Sequence, residues 1–136
     1  MNYKQADLVK TNLKKAIQLL NNFHENESVF DVDNTSDCLV MSVLELTEMK
    51  LVYLLDVFEN EKEICLNCEG VYFSVMAGAF IEMFQTQVFC EEVSLLVDEL
   101  SALFTPLSKI FNDYYNPDAE DHLHFINPLF TKAELN

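Results

Sequence analysis

Cys38 to Phe58, CLVMSVLELTEMKLVYLLDVF, is an unbroken apolar run near the middle of the chain, and its reading decides the fold. Val40, Val43, Leu44, Leu51, Leu54, Leu55 and Phe58 recur at the spacing of one helix face. Leu39, Leu46, Met49, Tyr53 and Val57 form a second apolar set off that face. Ser42, Glu45, Glu48, Asp56 and Glu59 leave only a narrow polar stripe, so the spacing predicts a helix buried on several sides. Glu45, Glu48, Lys50 and Asp56 would each be costly in a bilayer, which makes this a core helix rather than a membrane span.

The flanking segments extend the same pattern. Val9, Leu13, Ala16, Ile17, Leu20 and Phe23 predict a helix over residues 5–22. Residues 71–87 predict a third helix with Val71–Gln87 and Cys38–Phe58 as the inner pair of a bundle. Within it, Ser74 and Gly78 stand one turn apart and suit close approach by another helix of the bundle. Phe89, Val93, Leu96, Val97, Leu100, Leu103 and Phe104 give the cleanest amphipathic face, in a helix expected to begin near Val88. Thr105-Pro106 reads as the cap and first residue of a further helix through Leu107, Ile110, Phe111 and Tyr114. Gly70 is expected as a boundary, and Ser36 or Asp37 as the cap of the central helix. Phe125, Ile126, Leu129 and Phe130 around Pro128 predict a docked tail. The expectation is an all-α fold, a compact bundle of about five helices, as one domain over residues 1–136.

Charge is the second constraint. The 136 residues carry a net charge of −15, and all eight basic residues are Lys. Lys4, Lys10, Lys14 and Lys15 cluster near the start; residues 16–136 hold four Lys against 22 acids, or −18. Such a surface repels nucleic-acid phosphate and anionic lipid and attracts basic proteins. The absence of Arg also removes the usual bidentate fork for phosphate. Residues 1–15 lack the apolar core of a secretory signal, so a cytoplasmic protein with reduced thiols is expected.

Several short motifs bear on chemistry. Val29-Phe30-Asp31-Val32-Asp33-Asn34-Thr35 resembles the first motif of the haloacid dehalogenase family, an apolar strand ending in D-x-D-x-T. The resemblance implies Asp31 as nucleophile and Asp33 as general acid/base, with Mg²⁺ bridging carboxylate and phosphate. The chain departs from that family elsewhere: His24 to Ser28 is no buried strand, and no downstream acidic motif with glycine follows. Asp31-x-Asp33-x-Thr35-x-Asp37 is similar to the start of an EF-hand loop, but Ser36 and Ser42 stand where Gly and Glu are required. Cys65-x-x-Cys68 is half of a zinc site, and His122-Leu123-His124 with nearby acids is a second metal-ligand pattern. Neither makes a full site alone, so no metal or cofactor is expected, and the pair of cysteines is expected to be core thiols.

What remains is an acidic helical protein without a catalytic constellation. The leading expectation is a non-enzymatic inhibitor of a basic protein such as a nuclease or toxin, immunity-like, antitoxin-like or mimicking DNA, and itself binding no nucleic acid. Glu91, Glu92, Asp98 and Glu99 are the expected partner-binding residues. One alternative is a helical adaptor or homodimer using apolar anchors such as Tyr114, Tyr115, Phe125 and Phe130. Another is a metal-dependent enzyme using the Asp31/Asp33 loop or the His122/His124 segment.

Overall fold

A computed structural model describes residues 1–25, 30–31, 33–85, 89–116, 118 and 124–130, with His124 through its backbone alone. Four helices follow in order: α1 (Tyr3–His24), α2 (Thr35–Asn60), α3 (Leu66–Gln85) and α4 (Glu91–Tyr114). Two short strands, β1 (Glu63–Cys65) and β2 (His124–Ile126), pair antiparallel. Each helix packs on its neighbours in sequence, and α4 closes the ring on α1. Contacts run antiparallel throughout: Lys14 meets Glu59 and His24 meets Glu48 between α1 and α2, while Tyr114 at the end of α4 reaches Gln5 at the start of α1. The architecture is an up-down-up-down four-helix bundle.

Helices α1 and α2 begin where side chains satisfy their first amides. Asn2 and Gln5 form a capping box on α1, with Gln5 N–H donating to Asn2 Oδ1 at 2.9 Å and Asn2 N–H donating to Gln5 Oε1 at 3.0 Å. Asn34, rather than Ser36 or Asp37, caps α2 by accepting from the Asp37 amide at 3.1 Å. The core is lined by one stripe from each helix, including Leu13 and Leu20, Leu44 and Leu51, Phe73 and Phe80, and Leu100 and Leu107. A chain of aromatic rings runs through it: Phe58 to Phe111 to Phe73 to Phe104 to Phe80, with centroids 5.4–6.2 Å apart.

Several further expectations need correction. First, α2 and α3 are not an inner pair. In a four-helix ring every helix buries one face only. The second apolar set of α2 accordingly faces out, with Leu39, Leu46, Met49 and Tyr53 exposed and only Val57 buried. Second, the helices number four rather than about five, because α4 passes through Pro106 without a break. The proline ring removes the amide that would reach Ala102, and the turn is held by other groups. Thr105 Oγ1 donates to the Ser101 carbonyl at 2.8 Å, and the buried Asn12 of α1 donates to the Leu103 carbonyl at 3.0 Å. Third, Gly70 lies inside α3 instead of ending it. A Cβ there would sit 3.4 Å from Phe111 Cβ, so the glycine lets α3 approach α4 closely. Gly78 does the opposite: a Cβ there would meet nothing, and Ser74 is exposed, so neither serves packing within the bundle. Among the described residues no helix is long and apolar enough to cross a membrane.

Candidate functional site

The acidic residues expected to bind a partner lie together on the outer surface of α4. Glu91, Glu92, Asp98 and Glu99 are all exposed. At 3.6 residues per turn, Glu91, Leu95, Asp98 and Ala102 fall on one line, and Glu92 and Glu99 on the next. Leu95 is 55% exposed at the centre, an apolar knob ringed by four carboxylates. Glu91 and Glu92 occupy the first turn, where the positive end of the helix supports them. Glu99 borders a shallow groove shared with Lys15, Gln18 and Leu19 of α1, so Lys15 stands at one margin of the acidic stripe.

Backbone amides of the Asp31/Asp33 loop are held by local hydrogen bonds at the entry to α2. The Asp31 amide donates to Asp37 Oδ2 at 2.9 Å, the Asp33 amide to Asp31 Oδ1 at 3.0 Å, and the Asn34 amide to the Asp31 carbonyl at 3.0 Å. The Asp31 and Asp37 carboxylates hold the turn that starts α2, the role such side chains commonly play at helix entries. His122 and the side chain of His124 lie outside the described residues. The backbone of His124 is placed, and its register partner across the strand pair is Cys65. Among the described residues no group of three His, Cys, Asp or Glu side chains is arranged to hold a metal ion.

The apolar anchors named for an adaptor are mostly consumed by the fold. Tyr114 is partly buried, and its hydroxyl donates to Gln5 Oε1 at 2.8 Å; Phe125 packs edge-on to Tyr114 with centroids 6.2 Å apart. Only Tyr115 of that set is well exposed, while Met49, Val71 and Val75 on α2 and α3 are exposed without having been singled out as anchors.

A second constellation gathers where β1 runs into α3. Cys65 ends β1 and stands at the cap position of α3; Cys68 is the third residue of that helix. The two thiol sulfurs lie 2.8 Å apart, and the Cys68 amide donates to Cys65 Sγ at 3.4 Å. The next residue, Glu69, is 9% exposed; its Oε1 accepts from the Tyr53 hydroxyl at 3.1 Å, and its Oε2 is buried without a partner. Burial pushes the Glu69 carboxyl above its ordinary range, and the Tyr53 hydrogen bond offsets this only in part. Tyr53 is itself raised, by desolvation and then by the Glu69 charge. The Cys68 thiol is pushed up to about 11, first by its hydrogen bond with Cys65, then by burial and by the Cys65 and Glu69 charges. Tyr72 packs at a tilt against Tyr53, with centroids 4.8 Å apart, and carries Lys50 over its face at 4.5 Å. The strand signal that Cys65 needed was short: Glu63-Ile64-Cys65 is three residues, too few for a visible alternation.

No family model matches the chain, and no curated protein or solved structure matches it either.

Proposed function

We propose that the chain is a non-enzymatic binding protein whose acidic α4 face covers a basic surface on another protein, as an immunity-type or antitoxin-type inhibitor or a DNA mimic does. The observation that carries this reading is the clustering of Glu91, Glu92, Asp98 and Glu99, all exposed, around the exposed Leu95 on one helix. An apolar centre with a charged rim is the anatomy of a protein interface, in which the centre holds and the rim steers and selects. The net charge of −15 supports fast, long-range attraction of a cationic partner.

The test compares the intact chain with E91Q/E92Q/D98K/E99K, the first two neutralised so that the α4 start is not opposed by positive charge. Both are used to capture proteins from native lysate at low salt, with circular dichroism to establish equal folding. The reading expects a basic partner held by the parent chain, released by rising salt and absent from the variant capture. An unchanged set of partners removes the α4 face from the argument.

A second reading is an apolar adaptor or homodimer. It rests on Leu46, Met49, Val52 and Tyr53 of α2 and Val71 and Val75 of α3, each more than 40% exposed. This reading expects a salt-insensitive association that M49K or V75K abolishes, seen by sedimentation over a range of concentrations.

A further inference from the structure

We propose that Cys65 and Cys68 form a reversible dithiol–disulfide site, closing on reaction with a low-molecular-weight disulfide of the glutathione class. The inference goes beyond partner binding and does not depend on it. Three features of the β1–α3 junction carry it.

The first is geometry. A residue at the cap and the third residue of a helix are brought together by capping itself, as Asn2 and Gln5 are at α1. At α3 the same relation leaves Cys65 Sγ and Cys68 Sγ 2.8 Å apart. A disulfide needs about 2.05 Å between sulfurs, so closure takes a shift of under about 1 Å. The turn between them is firmly held: Leu66 is buried, and Asn67 exchanges two hydrogen bonds with the backbone of Asn116, at 2.9 and 3.0 Å.

The second is access. Cys68 is exposed and Cys65 nearly buried, so an external disulfide meets Cys68 while Cys65 is kept for the second step. The third is isolation. Cys38 is in the first turn of α2 and Cys90 immediately precedes α4, both at the end of the bundle opposite the start of α3. The 26-residue α2 spans about 39 Å, so neither can reach the pair within one chain.

The chemistry balances as a two-step exchange. Cys68 loses its proton to solvent, and its thiolate attacks one sulfur of RS–SR; that bond breaks and RS⁻ leaves as RSH. The Cys65 thiolate, its own proton also gone to solvent, then attacks the Cys68 sulfur, forming the Cys65–Cys68 bond and releasing the second RS⁻, which takes up a proton. Two protein thiols are oxidised by two electrons, and RS–SR is reduced to two RSH. The hydrogen bond with Cys65 and burial hold the Cys68 thiol up, so the first step speeds up as pH rises through the neutral and mildly alkaline range.

The test treats the reduced full-length chain with oxidised glutathione between about pH 7 and about pH 10 and follows intact mass and peptide maps. The expected product has lost two hydrogens, with Cys65 linked to Cys68, and reverts with dithiothreitol. C38S/C90S behaves as the parent, C68S forms no linkage, and C65S stops at a glutathione adduct on Cys68. Accumulation of that adduct in the parent chain, with Cys65 still a thiol, overturns the proposal. So does uptake of one zinc ion per chain that leaves the pair inert to glutathione. The parent's peptide map decides the matter even if C65S fails to fold.

Discussion

Asn127, fully buried near the end of the chain, donates its side-chain amide to the Phe58 carbonyl at 2.8 Å, 69 positions earlier. The same Nδ2 reaches the Glu61 carbonyl at 2.9 Å, the Asn127 amide donates to the Lys62 carbonyl at 2.7 Å, and Oδ1 accepts from Leu129. The last carbonyls of a helix have no partner within it. Asn127 supplies one for α2, from a distant segment, and in doing so fixes where β2 pairs with β1. Docking of the tail is therefore a polar arrangement as much as an apolar one, and Ile126 beside it is 64% exposed.

Replacing Asn127 by alanine should cost about 2–3 kcal/mol, since three side-chain hydrogen bonds disappear and buried carbonyls lose their donor. Asn127→Asp should be worse, because a carboxylate would face the Phe58 and Glu61 carbonyls. Urea unfolding measures the loss, and hydrogen exchange should rise in residues 63–65 before the rest of the bundle. An N127A midpoint equal to the parent's would show that the tail does not brace α2.

Phe73 touches both Phe104 and Phe111, with centroids 5.7 and 5.4 Å away, and is fully buried at the α3–α4 seam. Phe73→Ala should destabilise by about 3–5 kcal/mol through lost contact and a residual cavity. Phe73→Leu, which keeps most of the volume, should cost clearly less. Equal losses for the two would mean that the seam collapses around either side chain.

The helical class was legible because apolar spacing at 3.6 residues survives without any knowledge of packing: of the α1 face named from sequence, Val9, Leu13, Ala16 and Leu20 are buried and Ile17 and Phe23 partly so. What spacing cannot state is how many faces a helix buries, since Leu46 or Met49 looks the same in a core and on an apolar surface. Pro106 misled for a related reason. Proline is at home in a first turn, and spacing does not show that Thr105 Oγ1 and the Asn12 side chain of α1 hydrogen-bond the helix carbonyls beside it. The acidic stripe was readable, because residues 91, 92, 98 and 99 share a face by arithmetic alone. The thiol pair was readable as a spacing, but its setting was not. That setting depends on a three-residue strand paired 61 positions away.

Gly78 stands mid-helix on the outer face of α3, where a methyl group would meet nothing within 4 Å. Gly78→Ala should therefore stabilise the chain by about 0.5–1 kcal/mol, by removing backbone freedom from the unfolded state. Thermal unfolding of dilute protein measures this. If the same substitution weakens a self-association seen at high concentration, the glycine serves a helix contact between copies, and the second functional reading gains ground.

Glu69 provides a test at variable pH. Its folded carboxyl lies above the ordinary value near 4.5, because burial disfavours the charge more than the Tyr53 hydroxyl favours it. Between those two values the folded state therefore holds more proton than the unfolded one, and stability falls as pH rises through the window. Below about pH 4 the group is protonated in both states and the penalty vanishes. Glu69→Gln keeps an oxygen to accept from Tyr53 and carries no charge to bury. The variant should have a higher urea midpoint than the parent at neutral pH, with the difference shrinking towards pH 4. It should also let the Tyr53 hydroxyl ionise closer to its ordinary 10.0, readable by ultraviolet titration, since the Glu69 charge is one of the causes holding it up. A variant less stable than the parent at both pH values would show that the carboxylate is wanted in its ionised form, and that the unpartnered Oε2 is not a cost to the fold.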